Sequence, residues 1–193
     1  MFMAVVQLLP KSKQDYEQNF QIMETENYMV AEMQLTYRNP QPPDKRTRIE
    51  NTTQAYQVLR SFYPDETIEC KEFVKVLLIN TGAEVIGCVQ VAEGGLKQAY
   101  VDVRNVLQAA LLSNASGIIL SHNHPSGKVW PSNEDRELTH HLSQLCDLMN
   151  IELIDHIILG LYKYYSFSDD GMLPDPKNSR KPSKLGEKVM FKV

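Results

Sequence analysis

The chain has 193 residues, of which 42% are apolar, enough to build one ordinary domain with flanking segments. A formal charge of −4 argues against a basic surface spread over the whole domain, and no apolar run is long enough to span a membrane. Cys70, Cys88 and Cys146 are far apart and odd in number, which argues against a disulfide framework or a paired-cysteine zinc knuckle and fits reduced thiols in a cytoplasmic protein.

The start, Met1 to Pro10, is apolar but has neither a cationic region nor a small-residue cleavage site, so no signal peptide is expected. Lys11 to Met33 is polar and lacks an apolar stripe, consistent with a loose helix or a disordered segment. Pro40, Pro42 and Pro43 mark an extended linker that ends near Arg48, so residues 1–48 read as an N-terminal extension. A first core helix is expected over Thr53–Phe62, with Ala55, Leu59 and Phe62 on one face. Phe73–Asn80 and Val85–Val91 read as strands joined by a hairpin-like turn at Thr81-Gly82-Ala83-Glu84. Asp102 caps a helix to about Ser113, in which Val103, Val106, Leu107, Ala110 and Leu111 follow the helical period. A short β-branched run, Gly117 to Ser121, forms a buried strand. A long helix over 132–149 follows, with Leu138, Leu142, Leu145, Leu148 and Met149 in period, and then strands near 151–159 and 162–167. This alternation predicts an α/β fold, a single α-β-α sandwich with a mixed β-sheet, over 49–174.

Between the strand at Gly117 and the long helix lies His122-Asn123-His124-Pro125-Ser126-Gly127, then Pro131-Ser132-Asn133-Glu134-Asp135. Alternate side chains of an extended segment project to one side, so the imidazoles of His122 and His124 converge. Pro125 stops the ladder, and Ser132 stands where a helix N-cap belongs, which puts Asp135 in the first helical turn facing back to the strand end. Two imidazoles and one carboxylate suit a borderline-soft divalent cation such as Zn2+. A fourth position left open for water is the pattern of catalytic sites. Ser132 and Asp135 also form a variant capping box, a purely local role for the same pair.

The run Leu120 to Gly127, followed by Pro131, Ser132 and Asp135, resembles the JAB/MPN (JAMM) zinc metalloprotease superfamily, and within it the RadC-like branch, sometimes labelled DNA repair proteins. The likeness extends from about Ile49 to Met172 and takes in Phe73–Asn80, Asn114-Ala115 and Leu153–Leu159. Asn123 stands where deubiquitinating members usually have Ser or Thr, which sets this chain apart from enzymes acting on ubiquitin. The resemblance implies a fold like that of the cytidine deaminases, with Zn2+ held by His122, His124 and Asp135. It further implies that Glu72 is the general base and that the Ser132 hydroxyl stabilises the oxyanion. Glu66 and Glu69 lie near enough in sequence to compete with Glu72, and a solvated carboxylate is the plain alternative for all three.

Other polar residues read as structural. His156 fits a hydrogen-bonded core histidine, and Asp155, on the opposite face, reads as structural too, with support of a ligand histidine as its alternative; His140 and His141 are expected in solvent. Lys128 and Trp130, in the loop over the site, either contact substrate or pack locally. From Lys177 to Val193 there are six basic residues and one acidic residue, so 175–193 reads as a disordered tail that could touch a nucleic-acid backbone. Three functions stay open: a zinc metallopeptidase or isopeptidase acting on an unknown peptide or protein, a DNA-repair accessory protein using the metal domain as a scaffold, and a partner-binding module with a structural or vestigial site. A zinc deaminase is set aside because its H-x-E and P-C-x-x-C signature is absent.

Overall fold

The computed structural model describes residues 39, 41–95, 99–175 and 190–192. Most of the expected extension at 1–48 lies outside them, as does most of the basic tail. Pro43–Lys45 makes a single 3-10 turn rather than a wholly extended linker. The chain then docks on the following hairpin: Val85 N–H donates to the Thr47 carbonyl at 2.8 Å and Ile49 N–H to the Ala83 carbonyl at 2.8 Å. The chain thus joins the hairpin from Thr47 onward.

Helix α1 (Thr52–Arg60) starts where Asn51 accepts a hydrogen bond from Gln54 N–H at 2.9 Å, and it buries Ala55 and Leu59 one turn apart. Because it ends at Arg60, Phe62 turns to solvent and Tyr63 fills the apolar position expected of it. A short helix that was not expected, α2 (Asp65–Ile68), buries Ile68 and leads into strand β1 (Phe73–Ile79). Next come β2 (Val85–Glu93), a short β3 (Tyr100–Asp102) and α3 (Val103–Leu112), the last capped by the Asp102 carboxylate. Then follow β4 (Gly117–Asn123), α4 (Asn133–Leu148), β5 (Glu152–Leu159) and β6 (Tyr164–Ser166). Leu111 and Leu148 on the helices, and Met149 at the C-cap of α4, are exposed although their spacing matches the buried stripes.

The sheet order is β2-β1-β4-β5-β6, antiparallel except for the central parallel pair β4–β5, so the expected mixed sheet is found. Alternation along the strands divides the core. Val74, Val76, Ile118 and Leu120 pack with Val103, Val106, Leu138 and Leu142 on the α3/α4 face. Leu77, Ile79, Ile119 and Ile157 pack with Ala55, Leu59 and Ile68 on the α1/α2 face. One irregularity matters for the site. Ile118 pairs with Leu153 but Ile119 pairs with Asp155, so Ile154 is an extra residue in β5. The bulge reverses the parity of the strand: Leu153 lies in the α3/α4 core, and Ile157, an even number of steps away, lies in the other.

A final strand, β7 (Met190–Lys192), pairs antiparallel with β3. The disordered reading of 175–193 therefore does not hold at the end of the tail, where backbone ladder bonds take up the chain. No helix among the described residues is long and apolar enough to cross a membrane.

Candidate metal centre

His122 and His124 share the side of β4 that carries Ile118 and Leu120 into the α3/α4 core. His122 is fully buried, His124 is partly open, and their Nε2 atoms lie 3.0 Å apart. The Nδ1 atom of His124 sits 2.5 Å from the Lys128 carbonyl. A carbonyl only accepts, so Nδ1 carries the proton and Nε2 presents its lone pair to the site.

Asp135 arrives from the first turn of α4. Its backbone N–H donates to Ser132 Oγ at 3.0 Å, and its Oδ2 accepts from Ser132 N–H and from the Ser132 hydroxyl, both at 2.7 Å. The capping box and the site are thus one arrangement: two bonds from Ser132 hold Oδ2 and turn Oδ1 inward. Asp135 Oδ1 lies 3.2 Å from His122 Nε2, and Oδ2 lies 3.6 Å from His124 Nε2. Oδ1 is buried and makes no hydrogen bond among the described residues. An orphaned carboxylate oxygen facing two imidazole nitrogens is costly without a cation, and this donor set suits zinc. Burial alone would raise the Asp135 pKa, but His122 and His124 outweigh it and hold the carboxyl well below its ordinary range. For His124, burial lowers the pKa, while Asp135, the Lys128 carbonyl and Glu72 together raise it above the ordinary value.

Glu72 immediately precedes β1 and is buried, whereas Glu66 and Glu69 are exposed, so only one of the three carboxylates meets the site. One ligand atom each from Glu72, His122 and His124 lie within 4.8 Å of one another, a group able to hold a metal ion. Two carboxylates therefore approach the same pair of imidazoles. Glu72 is kept there by Asn123, which points to the other side of β4. The Asn123 Oδ1 accepts from Phe73 N–H at 2.8 Å, and its Nδ2 donates to the carbonyls of Ile68 at 2.6 Å and Lys71 at 2.7 Å. All the hydrogen-bonding hydrogens of that amide hold the segment that ends in Glu72.

The residue behind His122 is His156, expected only as a hydrogen-bonded core histidine and found buried. His156 Nε2 lies 2.8 Å from His122 Nδ1, and His156 Nδ1 lies 2.6 Å from Thr139 Oγ1. Asp155 has the structural role expected of it, not the alternative of supporting a ligand histidine: its carboxylate accepts from His156 N–H at 2.7 Å, Ser168 N–H at 2.9 Å and the Ser166 hydroxyl at 2.6 Å. It ties β5 to β6 and touches no ligand histidine. The Ile154 bulge is the reason, since it carries His156 to the site face. His140 is exposed as expected, while His141 is half-buried and its pKa is lowered, chiefly by burial. Trp130 is 71% exposed, with its ring tilted against Tyr165 at 5.4 Å. Lys128 reaches the centre through its carbonyl.

The family described as RadC-like JAB domain matches residues 49–172. A UPF0758 protein of Chlorobium phaeovibrioides (strain DSM 265 / 1930) is 35% identical over 145 residues, covering 75% of this chain and 64% of that protein. One from Porphyromonas gingivalis (strain ATCC BAA-308 / W83) is 36% identical over 147 residues, covering 75% and 63%. One from Geotalea uraniireducens (strain Rf4) is 38% identical over 125 residues, covering 65% and 55%. The chain spans less than two thirds of the length of these curated relatives.

Proposed function

The chain belongs to the RadC-like JAB domain family, and on that footing we propose that it is a zinc-dependent hydrolase of an amide bond in a peptide or protein. The observation that carries this reading is the meeting of Glu72, His122 and His124 within 4.8 Å, with the orphaned Asp135 Oδ1 beside the same imidazoles. His122, His124 and Asp135 hold the ion, because Asp135 approaches both rings and its free oxygen has no other use. When bound, Zn2+ supplies Lewis acidity to a carbonyl oxygen and lowers the pKa of a water toward about 7. Glu72 takes a proton from the attacking water and delivers it to the departing amine, so the products are a carboxylate and an amine. Its burial keeps bulk water from competing for that proton. The Ser132 hydroxyl donates to Asp135 Oδ2 in this structure, so its first task is to aim the ligand. Donation to a developing oxyanion requires that proton to swing away, which leaves the Ser132 N–H bond to hold Oδ2.

Metal analysis of the purified protein should find about one zinc per chain. The double variant His122→Ala/His124→Ala and the single variant Asp135→Asn should lose it. Glu72→Gln should keep zinc and lose turnover. Comparing new protein N-termini and released peptides in cells carrying wild type or Glu72→Gln would reveal the substrate. Metal-free wild type, or identical cleavage in both, overturns the reading.

A further inference from the structure

We propose that His156 and Thr139 are positioning residues that fix the tautomer of His122 and so form the cation site before any metal arrives. The inference rests on the metal reading above and begins at the Thr139 hydroxyl, which lies 2.5 Å from the backbone carbonyl of Asp135 and 2.6 Å from His156 Nδ1. The hydroxyl has one proton and the carbonyl has none, so the proton goes to the carbonyl; otherwise two oxygen lone pairs would face each other at contact distance. The Thr139 oxygen is then the acceptor, and His156 Nδ1 must carry hydrogen.

His156 is completely buried, and no carboxylate hydrogen-bonds its ring among the described residues. In the neutral ring, a proton on Nδ1 leaves the lone pair on Nε2. His122 Nδ1, 2.8 Å away, must therefore be the donor. That leaves the lone pair of His122 on Nε2, facing His124 Nε2 at 3.0 Å and Asp135 Oδ1 at 3.2 Å. With His124 set by the Lys128 carbonyl, the neutral forms of both rings present their lone pairs on the side of Asp135 Oδ1, where a cation would take all three. Phe167 stacks on His156, with centroids 4.9 Å apart and planes 8° from parallel, and fixes the plane of the relaying ring. The chain of bonds also closes on itself: it leaves a ligand on β4, crosses β5, and returns through α4 to the backbone of a second ligand, Asp135.

Ligand histidines ordinarily donate their second N–H to a carboxylate, a backbone carbonyl or water, and loss of such a partner lowers metal affinity about 10–100-fold. Here the partner is a second neutral imidazole, which accepts at Nε2 only while Thr139 takes its proton at Nδ1.

The test uses the full chain labelled with 15N in its imidazoles, stripped of metal and held near pH 8, where free imidazole is neutral. Long-range proton–nitrogen spectra should show His122, His124 and His156 all protonated at Nδ1. Thr139→Val removes the hydroxyl at nearly constant shape and should release His156 into a mixture of tautomers, with Nε2-protonated His122 appearing. Zn2+ affinity, read by chelator competition, should fall about 10–100-fold. Thr139→Ser should restore both readouts. Wild-type His156 or His122 protonated at Nε2 overturns the proposal, whether or not the valine variant folds. So does a folded Thr139→Val protein with unchanged tautomers and affinity within about twofold of wild type. Wild type that takes up no Zn2+ yet shows the expected tautomers sinks the metal reading and leaves the relay standing.

Discussion

Asn123 offers the sharpest test of how Glu72 is held. Its amide is fully buried and makes hydrogen bonds with Phe73 N–H, the Ile68 carbonyl and the Lys71 carbonyl. At about 1 kcal/mol net for each bond, Asn123→Ala should cost about 3 kcal/mol, more where water cannot reach the groups left behind. For a domain of this size that is a fall in melting temperature of roughly 6–12 °C. Asn123→Asp keeps the shape and the acceptor for Phe73 N–H but turns an oxygen without a proton toward two carbonyls. It should cost at least as much as alanine at neutral pH. Neither change touches the proposed zinc ligands, whose side chains lie on the other side of β4, so both folded variants should retain whatever zinc the wild type binds. Urea denaturation measures the stability, and amide hydrogen exchange over Ile68–Phe73 measures the loosening around Glu72. A loss below about 0.5 kcal/mol, or unchanged protection in that segment, refutes the clamp.

A Cβ added at Gly117 would lie 2.6 Å from Ile154 Cδ1 and 3.1 Å from its Cγ1, so Gly117→Ala should cost about 1–2 kcal/mol. Ile154→Val in the same chain removes Cδ1 and should recover part of the loss in chemical denaturation; no recovery would place the strain elsewhere. Asp155 is a carboxyl whose pKa burial raises above its ordinary 3.8, so the folded state binds its proton more tightly than the unfolded state. That contribution is favourable in acid and is lost as pH rises from about 4 through the folded pKa. Stability curves of Asp155→Asn and wild type should therefore diverge in the variant's favour as pH rises, and parallel curves would contradict the assignment. Ser132→Ala should cost about 1 kcal/mol as a lost N-cap, while Ser132 N–H still holds Asp135 Oδ2 and zinc content survives. Zinc lost from a folded Ser132→Ala protein would show that the backbone bond alone does not hold the carboxylate in place.

What sequence alone made legible at this site is what local rules govern. His122 and His124 could be paired because strand alternation acts over two residues. Asp135 could be turned toward them because capping acts over three, and the alternation of helices and strands led to the mixed sheet. Glu72 could not be separated from Glu66 and Glu69 on such grounds. Its burial follows from hydrogen bonds between Asn123 and a segment about fifty residues earlier in the chain. Phe62 and Tyr63 exchanged roles for a smaller reason of the same kind: α1 stops at Arg60, and the helical period does not continue past that point.

His156 shows the limit most clearly, because there the local rule gives the wrong face. Unbroken alternation from Leu153, a core residue on the α3/α4 side, would aim Asp155 at the site and His156 away from it. One extra residue, Ile154, reverses the two. Ile154 has room for its side chain because Gly117, beside it on β4, has none. The face of His156 is thus set by a pairing irregularity between two strands, and periodicity within either strand contains no sign of it. The strand pattern points to the atoms proposed as ligands, whereas the proposed protonation of those atoms depends on a bulge in β5 and a threonine on α4. A change that removed the bulge would leave the sequence motif whole while replacing the neutral acceptor behind His122 with a carboxylate, a stronger acceptor carrying a buried charge that β6 would no longer satisfy.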